Sequence, residues 1–536
     1  MKKIKWFGLL LVFLLVLAAC GEEEANSTGS SGDFLTDAGK GEPIRIVAGS
    51  EVKIFEPILE EYAKKSGHKI QMDYLGSLDI MRMLRSGQVD YDAVWPASSL
   101  WLNLGDSNHL LKYTETTSIT PVIFGIKESL AKELGFVGKD VYMKELMEAI
   151  DEGKLQFAMT SATQSNSGAS AYLAFLTAMS DSPEDGLTKA DLNDQALREK
   201  ITKFLAGVNR SSGSSNWLVD LFLMNDYDAM VNYEQLIIQT NMELQKQGKE
   251  PLYAVYPVDG LSISDSPLAY VDKKDEKKEE LFLDFQKYIL SKEAQEKIEK
   301  TGKRNAYGQV AKGNQEIYKK EWGIDADKLL APIRLPQTDV IEEFLSLYQS
   351  SFKKPAFTIY VLDYSGSMEG EGKNQMLEAL NEVLIPENAQ KHLLMGTSFD
   401  KTILLPFAGK VWEPVSKEGN DLTELYNYAN DLSAHGGTSL YEATVEALQL
   451  ISSEEELNKY NPAIVVLSDG KANGRMDIDD LKEAYQGLGM DIPIFSIMFG
   501  SASEEELDAI AELTHARVFD GRKDLVEAFR SVKGYN

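Results

Sequence analysis

The sequence predicts an α/β protein with two folded regions in one exported chain. Three observations carry that prediction. From Ile44 onward, short apolar runs rich in β-branched residues alternate with segments whose apolar residues recur at helical spacing. In the last third, two buried-strand patterns, Phe357 to Leu362 and Ile464 to Leu467, each run towards an aspartate. At the other end the one cysteine of the chain, Cys20, closes an uncharged apolar run. A chain of 536 residues is too long for a single core. Its 84 acidic against 55 basic side chains, net −29, exclude the basic footprint of a nucleic-acid binder. A lone cysteine excludes an intramolecular disulfide and a thiolate zinc site.

The elements follow in order. Lys2, Lys3 and Lys5 form a positive start, and Trp6 to Ala19 is an apolar run too short to span a bilayer comfortably. It ends Leu17-Ala18-Ala19-Cys20-Gly21, which resembles the lipobox of bacterial lipoproteins. The resemblance implies cleavage after residue 19, acylation of Cys20 and a lipid-anchored chain on the extracytoplasmic face of the membrane. Processing removes three lysines and leaves 52 basic against 84 acidic side chains. Residues 20–42, rich in Gly, Ser and Glu, read as a flexible tether.

From residue 43 the pattern is strand (Ile44 to Ala48), helix (Ile54, Ile58, Leu59, Tyr62), strand (Ile70 to Leu75), helix (Leu78 to Leu84), strand (Tyr91 to Trp95). A β-α-β-α-β order implies a parallel sheet with right-handed crossovers. The order resembles the type 2 periplasmic binding proteins, the solute receptors of ABC importers. That resemblance implies two lobes in residues 43–352, one from about 43–118 plus 259–352 and the other from 119–258. Thr120 to Gly125 and Tyr253 to Pro257 would be the crossing segments.

In such folds ligands lie at strand carboxyl ends, where loops meet helix N-termini. Three loops qualify: Gly49-Ser50-Glu51, Gly76-Ser77, and Ser165-Asn166-Ser167-Gly168 after the strand-like Leu155 to Met159. Ser50, Ser77, Ser165, Asn166 and Ser167 could offer hydroxyls and free N–H groups to an oxyanion or carboxylate. They serve equally well as ordinary N-caps. Glu51 and Asp259 near the mouth would repel an anion and suit an amine or a basic peptide, and Tyr233 and Glu234 are further cleft candidates.

The C-terminal third, residues 355–536, carries the sharpest signal. The strand at 357–362 ends in Asp363-Tyr364-Ser365-Gly366-Ser367, which can aim three oxygens at one point. Oxygen-only donors suit a hard cation such as Mg²⁺ or Mn²⁺. Downstream come the turn His435-Gly436-Gly437-Thr438 and the strand end Ser468-Asp469-Gly470. D-x-S-x-S, a later Thr and a strand-terminal Asp resemble the metal-ion-dependent adhesion site of von Willebrand factor A (VWA) domains. The pattern places helices at 374–384 and 440–452, strands near 392–399, 402–407, 463–468, 492–499 and 516–519, and a last helix from Lys523. The resemblance implies a Rossmann-like, doubly wound domain in which Ser365, Ser367 and Thr438 supply hydroxyls and Asp363 and Asp469 act directly or through water. In that family a partner's carboxylate completes the metal.

The sequence therefore points to a lipid-anchored binder. Its VWA domain would take a protein or surface ligand through a divalent cation, beside a solute-receptor-like domain that could hold a small solute. The alternative is an importer's receptor with an accessory VWA domain. No nucleophile–base set appears, and Gly366 to Asn374 fails as a phosphate loop because Ser367 stands where Gly is required. The expectation is a binding protein and not an enzyme.

Overall fold

The computed structural model describes residues 34–534 apart from 392–393, 470, 500–503 and 523–524. Cys20 and the leader lie outside the described residues. Among the described residues, no helix is long and apolar enough to cross a membrane.

The N-terminal region contains β1 (Phe34–Leu35), β2 (Lys40–Ala48), β3 (His68–Tyr74), β4 (Ala93–Trp95), β5 (Leu111–Thr116), β6 (Ser118–Lys127), β7 (Phe157–Thr160), β8 (Val208–Ser212), β9 (Ala229–Tyr233), β10 (Leu252–Val255), β11 (Ser262–Ser264), β12 (Pro267–Val271) and β13 (Arg304–Asn305). The first sheet has the order β1-β3-β2-β4-β12-β5, and the second runs β10-β6-β9-β7-β8 with β11 and β13 also on β6. β2 pairs parallel with both β3 and β4, as the β-α-β-α-β pattern requires.

The lobes are divided differently from the expectation. Thr120 to Gly125 and Tyr253 to Val255 both lie inside the second sheet: Phe124 and Gly125 pair with Val255 and Ala254, and Thr120 to Val122 pair with β11. The chain crosses instead at Thr117, between β5 and β6, at Asp265–Ser266, between β11 and β12, and after the helix Lys292–Glu299 on the way to β13. Residues 305–318 straddle the lobes, with Asn305, Ala311 and Asn314 bonded to Glu299 of the helix Lys292–Glu299, and the chain after them packs with the second lobe. Tyr318, Trp322 and Ile324 pack with Ile123, Met230 and Ile237, while Ile341, Phe344, Tyr348 and Phe352 pack with Phe124, Phe157 and Tyr172. Apolar contact decides this, and contact between distant segments is what a local hydropathy pattern does not encode. The fold also starts earlier than residue 43: Phe34–Leu35 pairs antiparallel with β3, so residues 34–42 are part of the fold and not of the expected tether.

The lobes meet. Leu78, Met81, Leu100 and Trp101 of the first lobe share one apolar cluster with Phe124, Phe157 and Tyr172 of the second. The Trp101 indole N–H donates to Asn166 Oδ1 at 2.6 Å.

The C-terminal region adds β14 (Ala356–Asp363), β15 (Lys401–Phe407), β16 (Val415–Glu418), β17 (Asn461–Ser468), β18 (Ile494–Met498) and β19 (Val518–Asp520), in the order β16-β15-β14-β17-β18-β19. All pairings are parallel except β15–β16. Alternate residues of β14 enter opposite cores. Tyr360 and Leu362 pack with helices Glu371–Leu384 and Thr423–Asp431, and Ile359 and Val361 with helices Leu440–Ser452 and Glu504–Leu513. Burial on both faces is why β14 and β17 read as continuous apolar runs. The expected strand at 392–399 is absent from its described residues, 394–399, which form a loop and turn. β16, whose sequence Val-Ser-Lys-Glu has only one apolar residue, pairs instead at the sheet edge.

Candidate metal centre and interlobe cleft

β14 is buried along its whole length and delivers Asp363 to its carboxyl end. Asp363 is fully enclosed, and both its oxygens are engaged: Oδ1 accepts the Ser365 backbone N–H at 2.7 Å and Oδ2 accepts the Ser468 hydroxyl at 2.6 Å. The Ser365 and Ser367 hydroxyl oxygens lie 3.0 Å apart, and Ser367 donates to Asp469 Oδ1 at 2.8 Å. Asp469 follows directly on β17, the strand beside β14. The oxygens of Ser365, Ser367 and Asp469 thus form one connected group, and Asp363 is tied to it through the Ser365 backbone N–H.

The turn bearing Thr438 is pinned against this loop. Gly366 N–H donates to Gly436 O at 3.0 Å, and His435 N–H donates to Tyr364 O at 2.7 Å. Gly436 has φ +85°, a conformation that favours glycine. At Gly437 a Cβ would lie 2.6 Å from Asn473 Oδ1. Asn473 holds the turn by accepting Thr438 N–H at 2.8 Å while its own N–H donates to Thr438 O at 2.9 Å. Thr438 is buried, and Ser367 is exposed at the rim. Sequence reasoning missed Asn473 and Ser468 as supports. Ser468 stands beside a flagged Asp and was open to suspicion, whereas Asn473 sits in a polar loop with no local signal.

Burial raises the carboxyl pKa of Asp363, and the Asp469 charge adds to the effect; burial also raises Asp469. Two carboxyls held against ionisation, with neutral hydroxyls between them, are the donor set that a hard cation would stabilise in its ionised form. Among the described residues there is no group of three His, Cys, Asp or Glu placed to hold a metal.

The three loops expected to bind a solute converge between the lobes. Asn216 Nδ2 of the second lobe donates to Ser50 O of the first at 3.3 Å. A Cβ on Gly76 would lie 3.3 Å from Gln164 O. The Ser77 hydroxyl accepts Ala97 N–H at 2.9 Å and so faces its own lobe. Ser165 occupies the N-cap position of helix Asn166–Met179 without capping it through its side chain. Its hydroxyl lies 3.1 Å from that of Ser215, and Ser167 lies 2.7 Å from both Ser215 and Thr160. Asn166 Nδ2 donates to the Tyr233 hydroxyl at 2.9 Å and to Ser264 Oγ at 2.7 Å.

Other cleft candidates separate. Tyr233 belongs to this network, and burial and the Glu51 charge push its phenol pKa up. Glu51 is buried with Oε1 unpaired, and burial raises its carboxyl pKa. Glu234 is not a ligand group: it is bound by Arg304 through Nε and Nη2, both at 2.9 Å. Asp259 caps a helix by accepting Met143 N–H at 2.9 Å, so only Glu51 of the two acids stands at the cleft.

Comparison with known proteins finds two family matches along the chain. Residues 44–304 match the family model described as bacterial extracellular solute-binding protein, and residues 359–528 match that of the von Willebrand factor type A domain. Curated relatives include inter alpha-trypsin inhibitor heavy chain 4 of Mus musculus, 30% identical over 155 residues, and heavy chain H2 of Mesocricetus auratus, 25% identical over 154 residues. Those alignments cover 26% and 27% of this chain but only 15% and 16% of the relatives. The chain therefore spans about a sixth of their length. Among solved structures, the substrate binding protein of the ABC transporter from Agrobacterium tumefaciens is 12% identical with TM-score 0.42, covering 59% of this chain and 97% of that one. An ABC transporter from Clostridium perfringens is 13% identical with TM-score 0.40, covering 57% and 97%. The chain joins a bacterial extracellular solute-binding domain, which implies an extracytoplasmic location, to a VWA domain.

Proposed function

We propose that this is a lipid-anchored surface protein whose VWA domain binds a protein or surface ligand through a divalent cation, Mg²⁺ or Mn²⁺. The observation that carries the reading is the connected group Ser365–Ser367–Asp469 at the mouth of β14, with Asp363 held behind it by Ser468. Ser365, Ser367 and Thr438 would hold the ion through neutral oxygens, and Asp469 and Asp363 would balance its charge. A bound ion supplies a Lewis-acid position for an incoming carboxylate. The chain's own part is to exclude water behind that position and fix the hydroxyls. Residues 355–536 carry 31 acidic against 14 basic side chains, so an acidic partner is repelled at long range and must be captured at the ion. We read the protein as a binder and not an enzyme.

The test is calorimetric titration of Mg²⁺ and Mn²⁺ into the full chain, followed by capture of partners from the native cell surface with and without EDTA. Saturable ion binding that is lost in Asp469→Ala, with partners released by EDTA, is expected. Partners retained in EDTA and in Asp363→Ala would sink the reading. For the anchor, Cys20→Ser is expected to move the protein from the membrane fraction to the soluble one; unchanged fractionation excludes acylation at Cys20.

A second reading, an importer's solute receptor with an accessory VWA domain, is favoured by the convergence of the three loops between the lobes. Thermal-shift screening of the full chain against oxyanions, amino acids and amines tests it. A stabilising solute supports it, and a flat response across the panel counts against it.

A further inference from the structure

Helix Ser215–Met224 reaches both the interlobe cleft and the VWA domain. At its N-terminus Ser215 joins the serine network and Asn216 bridges to Ser50 of the first lobe. One residue on, the Trp217 ring lies under the Arg517 guanidinium, 5.1 Å from the ring centroid. Just past its C-terminus, Asn225 Oδ1 stands 3.0 Å from His515 Nδ1, and the Tyr227 hydroxyl donates to Asp491 Oδ2 at 2.7 Å. Arg210 of β8 adds a hydrogen bond to His515 O at 3.4 Å and an ion pair with Asp491 at 3.7 Å.

Every one of these groups on the solute-binding side belongs to the second lobe. The connection reinforces them: Tyr348 and Phe352 are packed in the second lobe's core, and only residues 353–355 separate them from β14. So short a linker leaves the VWA domain little freedom of its own. The N-terminal part of the chain, in contrast, enters the first lobe through β1. Asp491, His515 and Arg517 precede β18 and β19, so docking uses the amino ends of the parallel strands. Asp363 and Asp469 lie at the opposite, carboxyl ends, roughly 25 Å away along an eight-residue strand.

We propose that the VWA domain and the second lobe move as one body, and that lobe closure on a solute re-aims the metal-bearing face relative to the first lobe. The three crossings at Thr117, Asp265–Ser266 and 300–303 are the hinge, and a solute shifts the equilibrium by as much as it favours the closed state. This makes the solute-binding domain a controller of how the VWA face is presented. The solute-driven part rests on the second reading above; the rigid-body part does not.

The test uses the full chain carrying Cys20→Ser, with nitroxide pairs at Lys64 (first lobe), Glu199 (second lobe) and Lys482 (VWA domain), read by pulsed dipolar spectroscopy. Opening is provoked by Arg85→Ala with Asn216→Ala, which removes two cross-lobe links, to Glu342 and to Ser50. The expected result is that the 64–199 and 64–482 distances shift together while 199–482 stays fixed. Asp491→Ala with Arg517→Ala is expected to broaden 199–482 and leave 64–199 unchanged. The proposal is overturned if 199–482 changes on opening, if 64–482 stays fixed while 64–199 moves, if the docking variant leaves 199–482 sharp, or if 64–199 moves in no variant or with no solute of the thermal-shift panel. Mg²⁺ titration of the same variants separates these outcomes from failure of the metal reading.

Discussion

Asp363 and Asn473 brace the candidate metal centre through hydrogen bonds to its loops, and that bracing does not require either to be a direct ligand. Asp363 spends one lone pair of each oxygen on Ser365 N–H and on Ser468. This fixes the loop's first turn and still leaves acceptor capacity. Asn473 satisfies the turn at Thr438 from both sides. Removing it leaves the Thr438 N–H, in a buried residue, without its acceptor, at a cost of about 1–3 kcal/mol. Asn473→Ala is therefore expected to weaken Mg²⁺ binding about tenfold or more in calorimetry while leaving the ion's stoichiometry at that of the wild type. Asn473→Asp, which keeps the acceptor, is expected to recover most of the affinity. If both variants bind as the wild type does, the turn is not held through residue 473.

At the scale of elements, the junction into β14 carries a cost that pH exposes. Burial lowers the Lys353 ammonium to about 8, and Lys533 adds to that, while Asp400 offsets part of it. A lysine with a folded pKa below its unfolded value is a penalty on stability, full below about pH 8 and relieved as pH rises to the ordinary lysine value. The penalty is on the order of 3 kcal/mol at most. Lys353→Met is expected to raise the unfolding midpoint at pH 7, and the gain is expected to shrink towards pH 10; an equal gain at both values contradicts a buried charge there. The same scale shows what the sequence made legible. β14 and β17 were evident because both faces are buried and the apolar run is unbroken. The loop at 394–399 resembled a strand because Leu394 and Met395 are apolar, but they pack as a core-lining loop. The candidate metal residues Asp363 and Asp469 stood out because each ends an unbroken apolar strand run. The cleft was legible only as loops, since which hydroxyls face a ligand and which bond each other depends on contacts far apart in sequence, such as Ser167 with Ser215.

For the molecule as a whole, the question is how far one domain's ligand is felt by the other. The VWA domain has its own two cores flanking β14, to which the solute-binding domain contributes only Trp217 at the edge. The docking contacts otherwise are polar groups around Asp491 and His515. Cores with so few shared residues are expected to unfold as separate units. An ion that binds only the folded VWA domain stabilises it by about 2.7 kcal/mol at a hundredfold excess over its dissociation constant. Differential scanning calorimetry of the full chain is therefore expected to show two transitions, with Mg²⁺ raising one and leaving the other in place. Asp491→Ala should leave the Mg²⁺-induced shift of the first transition intact, because that residue lies at the end of the sheet away from the ion. A single transition, or an equal shift of both with Mg²⁺, would mean that the interface around Trp217 binds the domains into one cooperative unit. In that case the ion and the solute would have to act on the same folding equilibrium.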